Sequence, residues 1–186
     1  MQKIDHDKFR FIFQGDFGTF QPAHLDGLQS LLSFLEADAL IADPRQAAYM
    51  IATAMHETAL TFLPIAEYGK GAGHPYGVID PVTGLVYYGR GFVQLTWPGN
   101  YKSMGLKIGV DLYHEPDLAM EPENAYRVMS EGMRLGMFTG VSLEHFISGT
   151  ECDYLNARKI INGLDCATII AGYADKIAAA LGQAGA

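Results

Sequence analysis

Tyr87-Tyr88-Gly89-Arg90-Gly91-Phe92-Val93-Gln94-Leu95-Thr96-Trp97 is the most unusual stretch of this 186-residue chain. It opens inside a β-prone run, Leu85-Val86-Tyr87-Tyr88, which Gly89-Arg90-Gly91 breaks. Just upstream, Asp80-Pro81-Val82-Thr83-Gly84 carries turn chemistry, so residues 85–88 read as the return strand of a small hairpin. The stretch also sets aromatic rings, a guanidinium, an amide and a hydroxyl beside glycines that permit close approach. Sugars bind through apolar ring faces and several hydrogen bonds, so this mixture suits them. The competing reading is a hairpin whose aromatics simply fill the core.

Working outward, the flanks are helical. Gln21-Pro22 begins a helix in which Leu25, Leu28, Leu31, Leu32 and Leu35 form one apolar stripe. Asp43-Pro44 supplies an N-cap and a first-turn proline. Ala47, Ala48, Ile51, Ala54 and Met55 follow at helical spacing, and the helix ends near His56-Glu57-Thr58. Downstream, Glu121-Pro122 opens a helix to about Met137, and Ser142-Leu143-Glu144 starts a short one. Asn156 to Asn162 stops at Gly163, and Asp165 caps a final helix to about Leu181, after which the tail frays. Residues up to Gly18 are mixed in character. The class is mainly α with one small β hairpin set between helices, where it suits a cleft.

The length suits a single domain over 1–186. Hydrophobic residues make up 49% and charged residues 18%, a globular balance. The formal net charge of −8 and the absence of a basic run argue against nucleic acid as a partner. Cys152 and Cys166 lie in no CxxC or Cys/His cluster and read as two small buried apolar residues. No run of about 20 apolar residues spans a membrane. The charged N-terminus does not read as a signal peptide, so another factor is expected to deliver the protein to any target outside the cytoplasm.

Cleavage of a glycosidic bond needs one protonated and one ionised carboxyl. Glu57, at the end of an apolar small-residue helix, offers the first. Glu67 offers the second from PIAEYGKGAGHPYG (64–77), whose four glycines and two prolines suggest a mobile, wet loop. His56-Glu57 does not extend to a zinc motif, because position 60 is Leu, so no metal is expected and His56 reads as a packed, hydrogen-bonded residue. Gly69-Lys70-Gly71 lacks phosphate-loop spacing.

Taken in order, His56-Glu57-Thr58, Tyr87-Tyr88-Gly89-Arg90-Gly91, Gln94-Leu95-Thr96 and Asn100-Tyr101 resemble the signature of family-19 glycoside hydrolases. Ile108-Gly109-Val110-Asp111-Leu112, Pro116-Asp117-Leu118 and Ile160-Ile161-Asn162-Gly163 extend the resemblance, which runs from about residue 44 to 175. That family includes plant-type chitinases and related bacterial and bacteriophage lysins. The resemblance implies a lysozyme-like, two-lobed, α-rich domain with its hairpin beside the cleft, and cleavage with inversion without a cofactor. It makes Glu57 the general acid and Glu67 the base, with Asp80 as the rival base. Thr96, where the family commonly has serine, would help hold the attacking water. His56, Tyr88, Arg90, Gln94, Trp97, Asn100 and Asn162 would contact sugar, with Tyr88 and Arg90 shaping the cleft floor. In this pattern the carboxyls stand about 6.5–9.5 Å apart. The final helix (Thr168 to Tyr173) is apolar where the plant enzymes carry a basic residue.

The leading expectation is a monomeric muramidase-type lysin, cutting β-1,4 bonds of peptidoglycan glycan strands. A chitinase is the alternative within the class. Outside it stand a non-catalytic glycan-binding module and a metal-dependent peptidase or amidase.

Overall fold

Helix α3 (Pro44–Glu57) is the axis of the molecule: every residue from Ala47 to Met55 is buried. Asp43 caps its start, accepting from the Arg45 amide at 2.8 Å. A helix apolar on all sides must be surrounded, and the small residues on α3 allow close packing. Its most extensive neighbour is α7 (Ala167–Ala184). The computed structural model describes residues 3–185.

The other helices pack around this pair. They are α1 (His6–Phe17), α2 (Pro22–Ala37), α4 (Pro98–Ile108), α5 (Pro122–Leu135) and the short α6 (Tyr154–Ala157). Helix α1, unassigned from sequence, is capped by Asp5 and lies against α7 and α2. Phe13 on α1 meets the rings of Phe17, Phe20 and Phe62. All five leucines of the α2 stripe are buried. One contiguous apolar cluster draws residues from α1 through α7. Among the described residues, no helix is long and apolar enough to cross a membrane. The first two residues of the charged N-terminal segment, Met1 and Gln2, lie outside the described residues, as does Ala186 at the tail.

The sheet expectation needs correction in its details. Residues 80–84 do form a turn, closed by Asp80 and Gly84 backbone bonds. However, 85–88 form no strand ladder. The pairing is instead between β1 (Ile65–Ala66) and β2 (Arg90–Gly91), antiparallel, with Ile65 opposite Gly91. The reason is local: Arg90 and Leu95 exchange both backbone bonds, so the chain folds back within Arg90–Leu95. Gly91 and Gln94 take positive φ to close that turn. A Cβ on Gly91 would also stand 2.9 Å from the Ala119 carbonyl. A second small pair, β3 (Ile147–Ser148) with β4 (Glu151–Cys152), had no sequence signal strong enough to mark it.

Three further corrections concern the C-terminal half. Residues 154–160 split into α6 and a 3-10 turn over Arg158–Ile160. The residue before α7 is Cys166, in a left-handed conformation, so Asp165 is not the cap. The tail stays helical to Ala184, and Gly185 bridges Ile4. Both cysteines are free, but Cys152 is exposed and Cys166 half-buried, so neither is a core residue.

Candidate active site

Glu57 is the last residue of α3, and the chain turns sharply behind it. Thr58 ends the helix: its hydroxyl donates to the Ala54 carbonyl at 2.7 Å and accepts from the Phe62 amide at 3.0 Å. Ala59, Leu60 and Phe62 all adopt positive φ. Such backbone costs about 1–3 kcal/mol per residue and persists only where packing imposes it. Gly27 on α2 makes room, since a Cβ there would lie 2.7 Å from the Phe62 carbonyl.

The Glu57 carboxyl is held from the far end of the sequence. Arg158 Nη1 donates to Oε1 at 2.5 Å, and Arg158 Nε donates to the Asp165 carbonyl at 2.9 Å. The Arg158 side chain is 4% exposed and that of Glu57 15%. Among the described residues, Oε2 of Glu57 makes no hydrogen bond, which leaves it for a ligand. Asn162 joins this cluster through its amide, which donates to the Arg158 carbonyl. Its side chain is exposed and accepts from the Gly163 amide at 2.9 Å. His56 is half-buried, and its ring makes no hydrogen bond among the described residues, contrary to the hydrogen-bonded role expected of it.

A second cluster gathers around Glu67. Its amide donates to the Gly89 carbonyl at 2.8 Å, extending the β1–β2 pairing by one residue. Its Oε2 accepts from the Gly89 amide at 3.1 Å and its Oε1 from the Tyr76 hydroxyl at 3.2 Å. The loop around it is not open coil. Successive backbone bonds from Lys70, Ala72, His74 and Gly77 fold residues 67–77 into consecutive turns. Gly71 and Gly77 cross so closely that a Cβ on Gly77 would lie 1.8 Å from the Gly71 carbonyl. The glycines here serve close packing, where the sequence suggested mobility.

Gln94 ties the two strands beside Glu67, donating to the carbonyls of Ile65 and Gly91, each at 3.1 Å. Trp97 is 45% exposed and meets the Tyr76 ring edge-on at 5.6 Å. Thr96, the residue before it, is half-buried, and Asn100 lies in the first turn of α4. Neither the Thr96 nor the Asn100 side chain makes a hydrogen bond among the described residues.

Tyr88 and Arg90 pack against each other. Arg90 is 4% exposed; it donates to Asp117 at 2.8 Å, to the Tyr101 hydroxyl at 3.1 Å and to the Val86 and Tyr88 carbonyls. Its guanidinium also covers the Tyr88 ring at 3.6 Å. Arg90 therefore acts by fixing its neighbours, and the shaping role suits it better than direct sugar contact. Asp80 is occupied differently. It accepts from Val82 and Thr83 in its own turn, and these bonds hold its carboxyl below the usual carboxylate range. That use ties Asp80 to its own turn.

Two residues escaped the sequence reading. Arg158 carried no mark of its own, since it stands beside a second cation in Ala157-Arg158-Lys159-Ile160. Tyr76 was hidden among glycines. Neither carboxyl lines the cavities of about 470, 390, 360 or 220 Å³ elsewhere on the protein. Among the described residues, no three His, Cys, Asp or Glu side chains converge as a metal site.

A surrounded central helix with a small sheet beside it defines the class: an α-rich, lysozyme-like fold. Chitinase C from Streptomyces griseus superposes with a TM-score of 0.62 over 98% of this chain and 78% of that one, at 22% identity. The chitinase class I model of the family-19 glycoside hydrolases matches residues 38–128. An endochitinase of Arabidopsis thaliana is 35% identical over 85 residues, 45% of this chain and 30% of that protein. Endochitinase 1 of Theobroma cacao is 49% identical over 45 residues, 24% of this chain and 14% of that protein. The chain thus spans less than a third of either plant relative.

Proposed function

We propose that this protein is an inverting endo-glycosidase acting on β-1,4-linked N-acetylated aminosugar polymers. The observation that supports it most is the pair of anchored carboxyls. Glu57 is fixed through one oxygen by Arg158, and Glu67 is oriented by Gly89 and Tyr76. Glu57 then delivers a proton to the leaving glycosidic oxygen from Oε2. Glu67 takes a proton from the water that attacks the anomeric carbon on the opposite face, which inverts the configuration. Each Glu67 oxygen keeps acceptor capacity beyond its one protein bond. Thr96 helps hold the water, and Gln94, Asn100 and Asn162 bind hydroxyl and acetamido groups. Tyr88 and Trp97 offer ring faces, with His56 beside the acid.

The polymer we assign first is peptidoglycan glycan. The 67–77 segment is folded into compact turns. On this reading a compact segment there leaves space for the lactyl-peptide on alternate sugars. Chitin is the second reading, favoured by the plant relatives, which are endochitinases.

The test is digestion of purified peptidoglycan and of a chitin oligomer, with products read by mass spectrometry and the first anomer by NMR. Cross-linked muropeptides with new reducing ends establish the first reading, and chitobiose-type fragments alone establish the second. E57Q should lose a factor of about 10² to 10⁴ in turnover while remaining folded. Binding to either polymer without new reducing ends would replace the enzyme by a glycan-binding module.

A further inference from the structure

We propose that Tyr76 is a positioning residue for Glu67, its hydroxyl fixing the carboxylate plane for the attacking water. The inference rests on the reading that Glu67 is the base. A carboxylate turns easily about its terminal torsion, so a single donor leaves its plane poorly defined. Gly89 holds Oε2 at 3.1 Å from the strand side. Tyr76 holds Oε1 at 3.2 Å from the loop side. Two donors on opposite oxygens remove the torsional freedom that one would leave.

The tyrosine is itself held in place. Its ring stacks on His74 at 4.9 Å with planes 4° apart, and Trp97 meets it edge-on. The crossing of Gly71 and Gly77 brings the loop back so that the phenol reaches Glu67. Burial, followed by the Glu67 charge and hydrogen bond, raises the Tyr76 phenol above its ordinary value, so it remains a donor at neutral pH. Nothing else in the fold uses this hydroxyl: its one hydrogen bond among the described residues is the one to Glu67.

The deciding experiment compares wild type, Y76F, E67Q and the double variant on the polymer that the wild type cuts. Y76F keeps the ring contacts and removes the hydroxyl. It should lower kcat about tenfold to a hundredfold, with KM within about twofold and an unchanged melting temperature. In the E67Q background the same change should have no further effect. Wild-type kcat in Y76F, or losses that multiply in the double variant, would overturn the proposal. Full turnover in E67Q would instead remove Glu67 as base. A readout independent of turnover is the Tyr76 phenol followed by NMR with labelled tyrosine. It should titrate at lower pH in E67Q than in wild type; an identical titration would show that the hydroxyl does not act through Glu67, even if no polymer is cut.

Discussion

Arg158 Nη1 and Glu57 Oε1 are 2.5 Å apart although 101 positions separate them in sequence. The contact joins the end of α3 to the 3-10 turn before α7, so the C-terminal segment holds the Glu57 carboxyl. Arg158 reaches both Glu57 and the Asp165 carbonyl, a two-pronged grip that a lysine ammonium cannot copy.

R158A should therefore lower turnover about a hundredfold, because an acid misplaced by an ångström loses that much. It should also lower stability by about 2–4 kcal/mol, since Glu57 would be left half-buried without its partner. R158K should recover most of the stability and little of the turnover. Denaturant unfolding and kcat measured on the same preparations check both statements. Equal turnover in R158A and wild type would remove Arg158 from the site.

This contact also marks where sequence reading stops. The leucine stripe of α2, the Asp43-Pro44 start of α3 and the Pro122 start of α5 are local patterns, and their helices stand where those patterns place them. The ordered motifs from His56 to Asn100 fall within the segment that the family model matches. The β1–β2 pairing was not legible, because two-residue strands far apart in the chain carry no alternation to read. Arg158 and Tyr76 were hidden for a different reason. Each acts through a side chain that tertiary folding brings to a carboxylate, and neither belongs to a motif that names its partner.

Tyr49 carries a different kind of prediction. It is fully buried on α3, stacked on Tyr154 at 5.8 Å, and its hydroxyl has no hydrogen-bond partner among the described residues. An unmet buried hydroxyl costs about 1–3 kcal/mol. Y49F keeps the ring and deletes that penalty, so it should raise stability by about 1 kcal/mol, visible as a higher denaturant midpoint with an unchanged slope. A loss of stability would mean that an ordered water serves the hydroxyl.

Gly77 tests the loop that carries Tyr76. A methyl there would stand 1.8 Å from the Gly71 carbonyl, and backbone cannot yield as a flexible side chain can. G77A should force the 69–77 turns open and lose kcat at least as severely as Y76F. Residues 67–77 contribute nothing to the apolar cluster that the helices share, so far-UV circular dichroism should change little. Normal kinetics in G77A would show that the crossing is dispensable.

Asp38 gives the clearest pH dependence. It follows α2 and accepts from Ser130 at 2.6 Å and Tyr126 at 2.9 Å, both on α5, and from the Leu40 amide at 2.9 Å. Burial alone would raise its carboxyl; the bonds from Ser130, Leu40 and Tyr126 and the charge of Arg134 outweigh it and hold the carboxyl below its ordinary value. A carboxyl lowered in the folded state stabilises above its unfolded pKa, and that stabilisation is lost as pH falls through the folded value. D38N should therefore cost about 1 kcal/mol at neutral pH, an amount already reduced for solvent screening at a half-exposed site. The gap between wild type and D38N should hold down to about pH 4 and close below it. Urea unfolding of both proteins from neutral pH to well below that point measures the gap; a difference that persists unchanged at the acid end would show that Asp38 couples α2 to α5 by shape and not by charge.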